Sequence, residues 1–339
     1  MLEREIYHYY QLYVDKRLRI GDYDGFRAHG HYYIVVPLQN RSMQSLQDMQ
    51  YMITYLNERG VNDIPQWIPN QKGKWTSSVE GNDVLLFQLP RFEKNERNTI
   101  GSQLGEFHRA GEQIPISNQE SLRYNEWVPL WSSRLDQLKE RYEETRRAGV
   151  NNEFDYLFVD SFPYYEGLTE NAIQYIVDYE WDRKSKEEGS YTITHERFHP
   201  NTWIPVKKED NLYSKMPLFW VIDHPVRDVA EYIRFLVTQK ATGEEISTFL
   251  SDYTKEKPLT RGGWRLLYGR LLYPSTYLDT VESYFISNRS QLRKDSTNRL
   301  NYVLSVEENQ ESFMKNFFNI SAIPMEHVNI EPVGWLTKA

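Results

Sequence analysis

The residues from Thr194 to Trp203 read T-H-E-R-F-H-P-N-T-W, and further on an apolar run, L-F-W-V-I-D-H-P, delivers a lone carboxylate, Asp223. Histidines, a carboxylate at the end of a hydrophobic strand and an amide are groups that move protons, hold metals or orient phosphates. His195 and His199 have the spacing of a zinc pair on a helix, but Pro200 and the missing H-E-x-x-H pattern argue against ligation. Bracing a loop by hydrogen bonds suits them better. Phosphoryl transfer would need a carboxylate base, an amide and an aspartate on magnesium, and a lysine on the phosphates. The segment offers His195, Glu196, Arg197, His199, Asn201 and Thr202, with a cation at its centre. Asp223 is the candidate metal or nucleotide ligand, and Asp228 follows at the start of a helix.

The elements that must position these groups change character along the chain. Residues 9 to 38 hold the runs Y-Q-L-Y-V and H-Y-Y-I-V-V-P-L around Gly21, Gly25 and Gly30, which predicts a small antiparallel sheet. Those glycines do not spell a phosphate-cradling G-x-G-x-x-G, and turn formation accounts for them. Leu46, Met49, Met52, Ile53 and Leu56 make a helical stripe that stops at Gly60, and V-L-L-F-Q-L before Pro90 reads as a buried strand. Beyond it the chain is helical. Helices are expected from Ile100 to Gly111, from Asp136 to Ala148, from an N-cap at Thr169, and over Val226 to Val237. More follow over Glu244 to Tyr253, Trp264 to Leu272, Thr276 to Phe285 and Leu300 to Phe318. The fold class is thus α+β, with a small strand-rich N-lobe (1–89), a large helical C-lobe (90–322) and an extended C-terminal tail (323–339) that packs or engages a partner. A mobile two-lobed body with a cleft between is the natural consequence.

Bulk properties exclude several functions. With 40% hydrophobic and 26% charged residues in 339, extended disorder is a poor explanation. The net charge is −8 and basic residues are dispersed, which argues against a nucleic-acid surface. Charges in the first residues oppose a signal peptide, and no apolar run reaches the ~18 to 20 residues a bilayer requires. Cysteine is absent, so disulfides, thiolate zinc sites and a cysteine nucleophile are excluded. Twenty-five tyrosines and nine tryptophans exceed what a core of this size requires, so some tyrosines lie at the surface, either available for interfaces or filling amphipathic positions with the hydroxyl in water. Trp203, Trp220, Tyr213 and Phe219 suit core and hairpin packing, and His108 suits a structural role. Asp160, Ser161 and Tyr164 could line the cleft, though nothing singles them out.

In series, L-G-E-F-H-R-A-G (104–111), H-E-R-F-H-P-N (195–201), V-I-D-H-P-V-R-D-V-A (221–230) and L-L-Y-P-S-T-Y-L-D-T-V-E-S-Y-F (271–285) resemble the aminoglycoside/choline kinase-like fold. Within it the chain is similar to the CotS-like group of bacterial endospore coat proteins. The resemblance implies a protein kinase-like two-lobed fold with the loop H-G-D-x-H-x-x-N. Aligned on both histidines, His195 and His199 match, Glu196 takes the glycine position, Arg197 the base position and Thr202 the asparagine position, with Asn201 one residue earlier. Asp223 matches the magnesium-binding aspartate and Asp228 the aspartate that braces the loop. The strand that should carry the phosphate lysine has no lysine or arginine between His31 and Asn40. The helix after it offers Gln47, Asp48 and Gln50 in place of a clear glutamate.

A guanidinium cannot accept a proton at physiological pH, so Arg197 cannot act as the base. General-base help alone is worth about 10²- to 10⁴-fold, but the phosphate lysine and the metal amide are missing as well. Glu196 could replace the base and Asn201 reach the metal only if the loop is distorted. The preferred expectation is that Arg197 pairs with Asp223 in place of a metal. The whole then reads as a pseudokinase-like structural or binding component of the spore coat with no catalytic residues and no cofactor. It would be made in the cytoplasm and would contact other coat proteins, but neither nucleic acid nor membrane. The alternatives are a small-molecule phosphotransferase using ATP and Asp223-bound magnesium, and a pseudokinase that binds a nucleotide or metabolite.

Overall fold

The computed structural model describes residues 2–91, 99–117, 119–182, 191–207, 212–320, 322–323 and 330–337. They form two compact units, Met1–Leu122 with Tyr191–Ile222, and Arg123–Ser190 with Asp223–Ala339.

The first unit begins with a helix, α1 (Leu2–Tyr10), whose Leu2, Ile6 and Tyr10 are buried at the four-residue spacing of one helix face. The expected strand Y-Q-L-Y-V does not form: Tyr10 ends α1, Gln11 turns the chain at φ +56, and residues 11–14 belong to neither helix nor strand. The sheet starts later, with β1 (Lys16–Ile20), β2 (Tyr23–Ala28) and β3 (His31–Pro37). Gly21 and Gly30 sit at φ +57 and +76 in the two hairpin turns, a conformation in which a Cβ would be strained. Ser42 then caps α2 (Met43–Asn57), its hydroxyl accepting the Ser45 N–H at 3.0 Å. The strands β4 (Gln66–Ile68), β5 (Ser77–Val79) and β6 (Asn82–Gln88) complete a six-stranded antiparallel sheet. Its order is β1-β2-β3-β6-β4, with β5 also on β6. The α1 stripe packs against Phe26, Tyr33, Val84 and Leu86 of this sheet.

The same unit takes in α3 (Ile100–Ala110) and the segment that carries the histidines: β7 (Thr192–His195), a 3-10 turn (Pro200–Thr202), β8 (Ile204–Lys207), β9 (Leu212–Ser214) and β10 (Trp220–Asp223). β7 pairs with β10, and β8 with β9. Leu122 adds a parallel bridge to Ile222. Gly111, at the C-cap of α3, lets β7 come close: a Cβ there would lie 2.7 Å from Thr192 Oγ1 and 2.9 Å from the Ile193 nitrogen.

The second unit is helical: α4 (Trp127–Ala148), α5 (Glu153–Asp182), α6 (Val226–Thr238), α7 (Gly243–Glu256), α8 (Arg261–Leu272), α9 (Ser275–Ile286), α10 (Ser290–Ser305) and α11 (Glu307–Asn316). Three sequence expectations change here. Thr169 is no N-cap: it is fully buried inside α5 and its hydroxyl donates to the Tyr165 carbonyl at 2.7 Å, the i−4 bond open to a mid-helix threonine. α4 starts at Trp127, because Trp127, Trp131, Leu135 and Leu138 extend the buried stripe N-terminally of the charged part. The run from Leu300 to Phe318 divides at Val306 into α10 and α11. Of the expected tail, Ile330, Val333 and Leu336 are buried, and Gly334–Thr337 forms one helical turn.

Gly111→Ala must push β7 aside and should cost about 1–3 kcal/mol by overpacking. Gly167→Ala, at a helical position with open space around its Cβ, should stabilise by up to about 1 kcal/mol. Urea unfolding of both variants, compared with the parent chain, checks the opposite signs.

Candidate functional site

The histidine loop is built by packing. His195 ends β7 completely buried, and its Nε2 accepts the indole N–H groups of Trp203 at 3.0 Å and Trp220 at 3.2 Å. Two donors on one ring nitrogen require that nitrogen to be unprotonated and the proton to sit on Nδ1. Phe107 and Phe198 enclose the ring at centroid distances of 5.2 and 5.0 Å. His195 therefore holds two tryptophans in register and has no ring face open to a ligand. His199 organises the turn after it: its Nδ1 accepts the Asn201 N–H at 3.2 Å, and its own N–H donates to Thr202 Oγ1 at 3.0 Å. The Thr202 hydroxyl in turn donates to the Arg197 carbonyl at 3.2 Å. The side chain at the expected amide position is thus engaged in closing the turn, while Glu196, Arg197 and Asn201 are exposed.

Two residues of the first unit that the sequence left without a role complete this picture. Arg41, just past β3, is half-buried with its guanidinium 5.1 Å from the Phe219 ring centroid. Burial pulls its pKa down and the charge of Glu196 pulls it up, so the cation answering Glu196 comes from beyond the strand where a lysine was sought. Asp48, on α2, is buried and accepts from the Ser121 N–H at 2.8 Å, the Ser121 hydroxyl at 2.9 Å and Gln44 Nε2 at 2.9 Å. Its carboxylate ties α2 to the segment that bridges β10. It does not wait for a lysine.

In the second unit Asp223 is 1% exposed. One oxygen accepts the His224 N–H at 2.7 Å; the other accepts the Trp127 indole N–H at 2.7 Å and a guanidinium N–H of Arg227. The sequence reading had assigned the partner cation to Arg197, an exposed residue of the first unit. Here the cation on Asp223, the last residue of β10, is Arg227 in the first turn of α6, at a D-x-x-x-R spacing that the sequence displays. Arg270 lies over Trp127 at 4.5 Å and reaches Glu231 at 3.3 Å, while burial, then Arg227, pull its guanidinium below the usual arginine range. Asp228 is fully buried in the first turn of α6, where the helix N-terminus favours a carboxylate.

Magnesium demands an octahedral set of oxygens. Asp223, already holding a guanidinium and an indole N–H, does not fit that demand. Among the described residues no group of three His, Asp or Glu side chains could hold a metal ion.

The His199 cap has a pH signature. Partial burial lowers its pKa against the raising effect of Asp22, so the neutral ring is favoured in the fold. Stability from this cap is complete above the unfolded value of about 6.5 and is lost as pH falls through the lower folded value. His199→Asn, which keeps an acceptor but cannot titrate, should lose less stability than the parent between about pH 7 and pH 5, as read by thermal unfolding.

A sequence profile described as "Spore coat putative kinase YutH" matches residues 3–317. The endospore coat-associated protein YutH of Bacillus subtilis (strain 168) is 33% identical over 318 residues, 93% of this chain and 92% of that protein. Among solved structures, an aminoglycoside phosphotransferase from Alicyclobacillus acidocaldarius superposes with a TM-score of 0.65 at 12% identity over 90% of this chain and 91% of its own. Spectinomycin phosphotransferase APH(9)-Ia, in complex with ADP and spectinomycin, does so with a TM-score of 0.60 at 14% identity over 91% and 97%. At such identities the structural likeness concerns the fold. No helix among the described residues is long and apolar enough to cross a membrane. The expected α+β kinase-like architecture and coat resemblance both hold, and the chain belongs to the YutH family of spore coat proteins.

Proposed function

We propose that this chain acts in the spore coat as a non-catalytic, pseudokinase-like structural or binding component that needs neither ATP nor magnesium. The observation that carries the reading is the state of Asp223: a carboxylate sealed from solvent and neutralised by Arg227 is a structural ion pair. Freeing it for a metal would take from Arg227, a partly buried cation at 12% exposure, the carboxylate it pairs with. Further support comes from the loop. Arg197 cannot take a proton, and Thr202, where a metal-binding amide would stand, closes a turn.

Contacts with other coat proteins would use the surface aromatics. Tyr13, Tyr32, Tyr156 and Tyr302 are 62%, 48%, 61% and 56% exposed, and phenol rings of this kind add contact area at low entropic cost.

Thermal unfolding with ATP and magnesium should match unfolding with ATP alone. A magnesium-dependent rise of several degrees would place a working nucleotide site on the chain and overturn the proposal. Arg197→Ala should leave deposition of a fluorescent fusion in the coat of sporulating cells unchanged; loss of deposition would give that residue a role this reading denies it.

A further inference from the structure

The helical unit contains a cavity of about 60 Å³, separate from Asp223. It is lined by Tyr164, Tyr165, Tyr277, Glu307, Glu311 and Leu336, among others. Tyr179 and Glu180, on the same helix, line the small cavity beside Asp223; Tyr165 is fourteen residues earlier, about 21 Å of helix away. Through Val237 and Phe313 the inner cavity abuts an open groove of about 880 Å³, whose walls carry the hydroxyls and amides of Ser247, Ser251 and Asn309.

Three features of the inner cavity are unbalanced. Tyr165 is 2% exposed and its hydroxyl lacks a fully formed hydrogen bond. Glu307 is its hydrogen-bonding neighbour, with the pair short of full bond geometry. Glu311, one turn from Glu307, is offset by Lys315 at 3.0 Å, whereas Glu307 has no ion pair among the described residues. Burial, then Glu311, push the Glu307 carboxyl above its usual range. The cation that lines the cavity, Arg234, is already engaged by Glu231 at 2.6 Å and the Tyr273 carbonyl at 2.9 Å.

We propose that this cavity is a binding site for a primary alkylammonium group. Its N–H donors would satisfy Tyr165 Oη and the Glu307 carboxylate together, its methylene would lie against the Tyr165 and Tyr277 rings, stacked at 3.7 Å, and the rest of the ligand would occupy the groove beyond Phe313. An anion is rejected by the paired carboxylates. A quaternary ammonium carries no N–H and cannot donate to Tyr165 Oη or to the Glu307 carboxylate.

The test uses the full chain with n-butylamine as probe, and tetramethylammonium and butyrate at equal ionic strength as controls, followed by thermal unfolding and calorimetry. Butylamine should raise the melting temperature saturably while both controls leave it unchanged. Glu307→Gln should weaken butylamine at least tenfold, and Tyr165→Phe, which fills the same space without the hydroxyl, several-fold. No saturable effect of butylamine, an equal response to tetramethylammonium, or undiminished binding to Glu307→Gln would each overturn the proposal.

Discussion

A carboxylate taken out of water must be paired, and the helical unit is organised around one that is. Asp223 is held by Arg227 on α6 and Trp127 on α4, and the chain of contacts continues from there. Arg270 of α8 covers Trp127 and meets Glu231; Arg234 joins Glu231 to the Tyr273 carbonyl. Tyr273 stacks on Trp131 at 3.9 Å and accepts from Arg134, which pairs with Asp279 and Glu282 of α9. Each member answers a charge or an amide that its neighbour would otherwise leave unsatisfied, so partial loss is costlier than the sum of its bonds. Four helices of this unit are thereby held together around Asp223.

The histidine loop shows a related economy in the other unit. His195 and His199 are each accounted for by local structure: one as a shared acceptor for two indoles, the other as a cap. Packing alone holds His195 in place, because removing a buried acceptor strands two buried donors.

Much of this was legible in the sequence. The period of Leu46 to Leu56, the strand ending at Pro90 and the apolar delivery of Asp223 all rest on patterns a few residues long, and the structure follows them. Arginine at position 197 excludes a base by charge alone. Less legible were features decided at a distance or by competition. The run Y-Q-L-Y-V reads locally as a strand, yet its first residue closes the buried stripe of α1, and Thr169 mimics a cap until its hydroxyl finds the Tyr165 carbonyl. The partner of Asp223 was sought in the loop that drew attention, whereas the arginine four residues on, in the first turn of α6, is the one that pairs. Asp48, Arg41 and the unmatched Tyr165 hydroxyl depend on burial, which composition does not report.

The central claim is that Asp223 is a structural charge rather than a metal ligand in waiting. A double-mutant cycle of Asp223→Asn and Arg227→Met, followed by urea unfolding without metal, tests it directly. The account predicts that Asp223→Asn alone costs about 3–5 kcal/mol by breaking a buried carboxylate's pair with the Arg227 guanidinium, and that the double variant recovers a large part of that loss. A stabilising Asp223→Asn, as relief of an uncompensated carboxylate would produce, or a coupling of zero between the two positions, would contradict it.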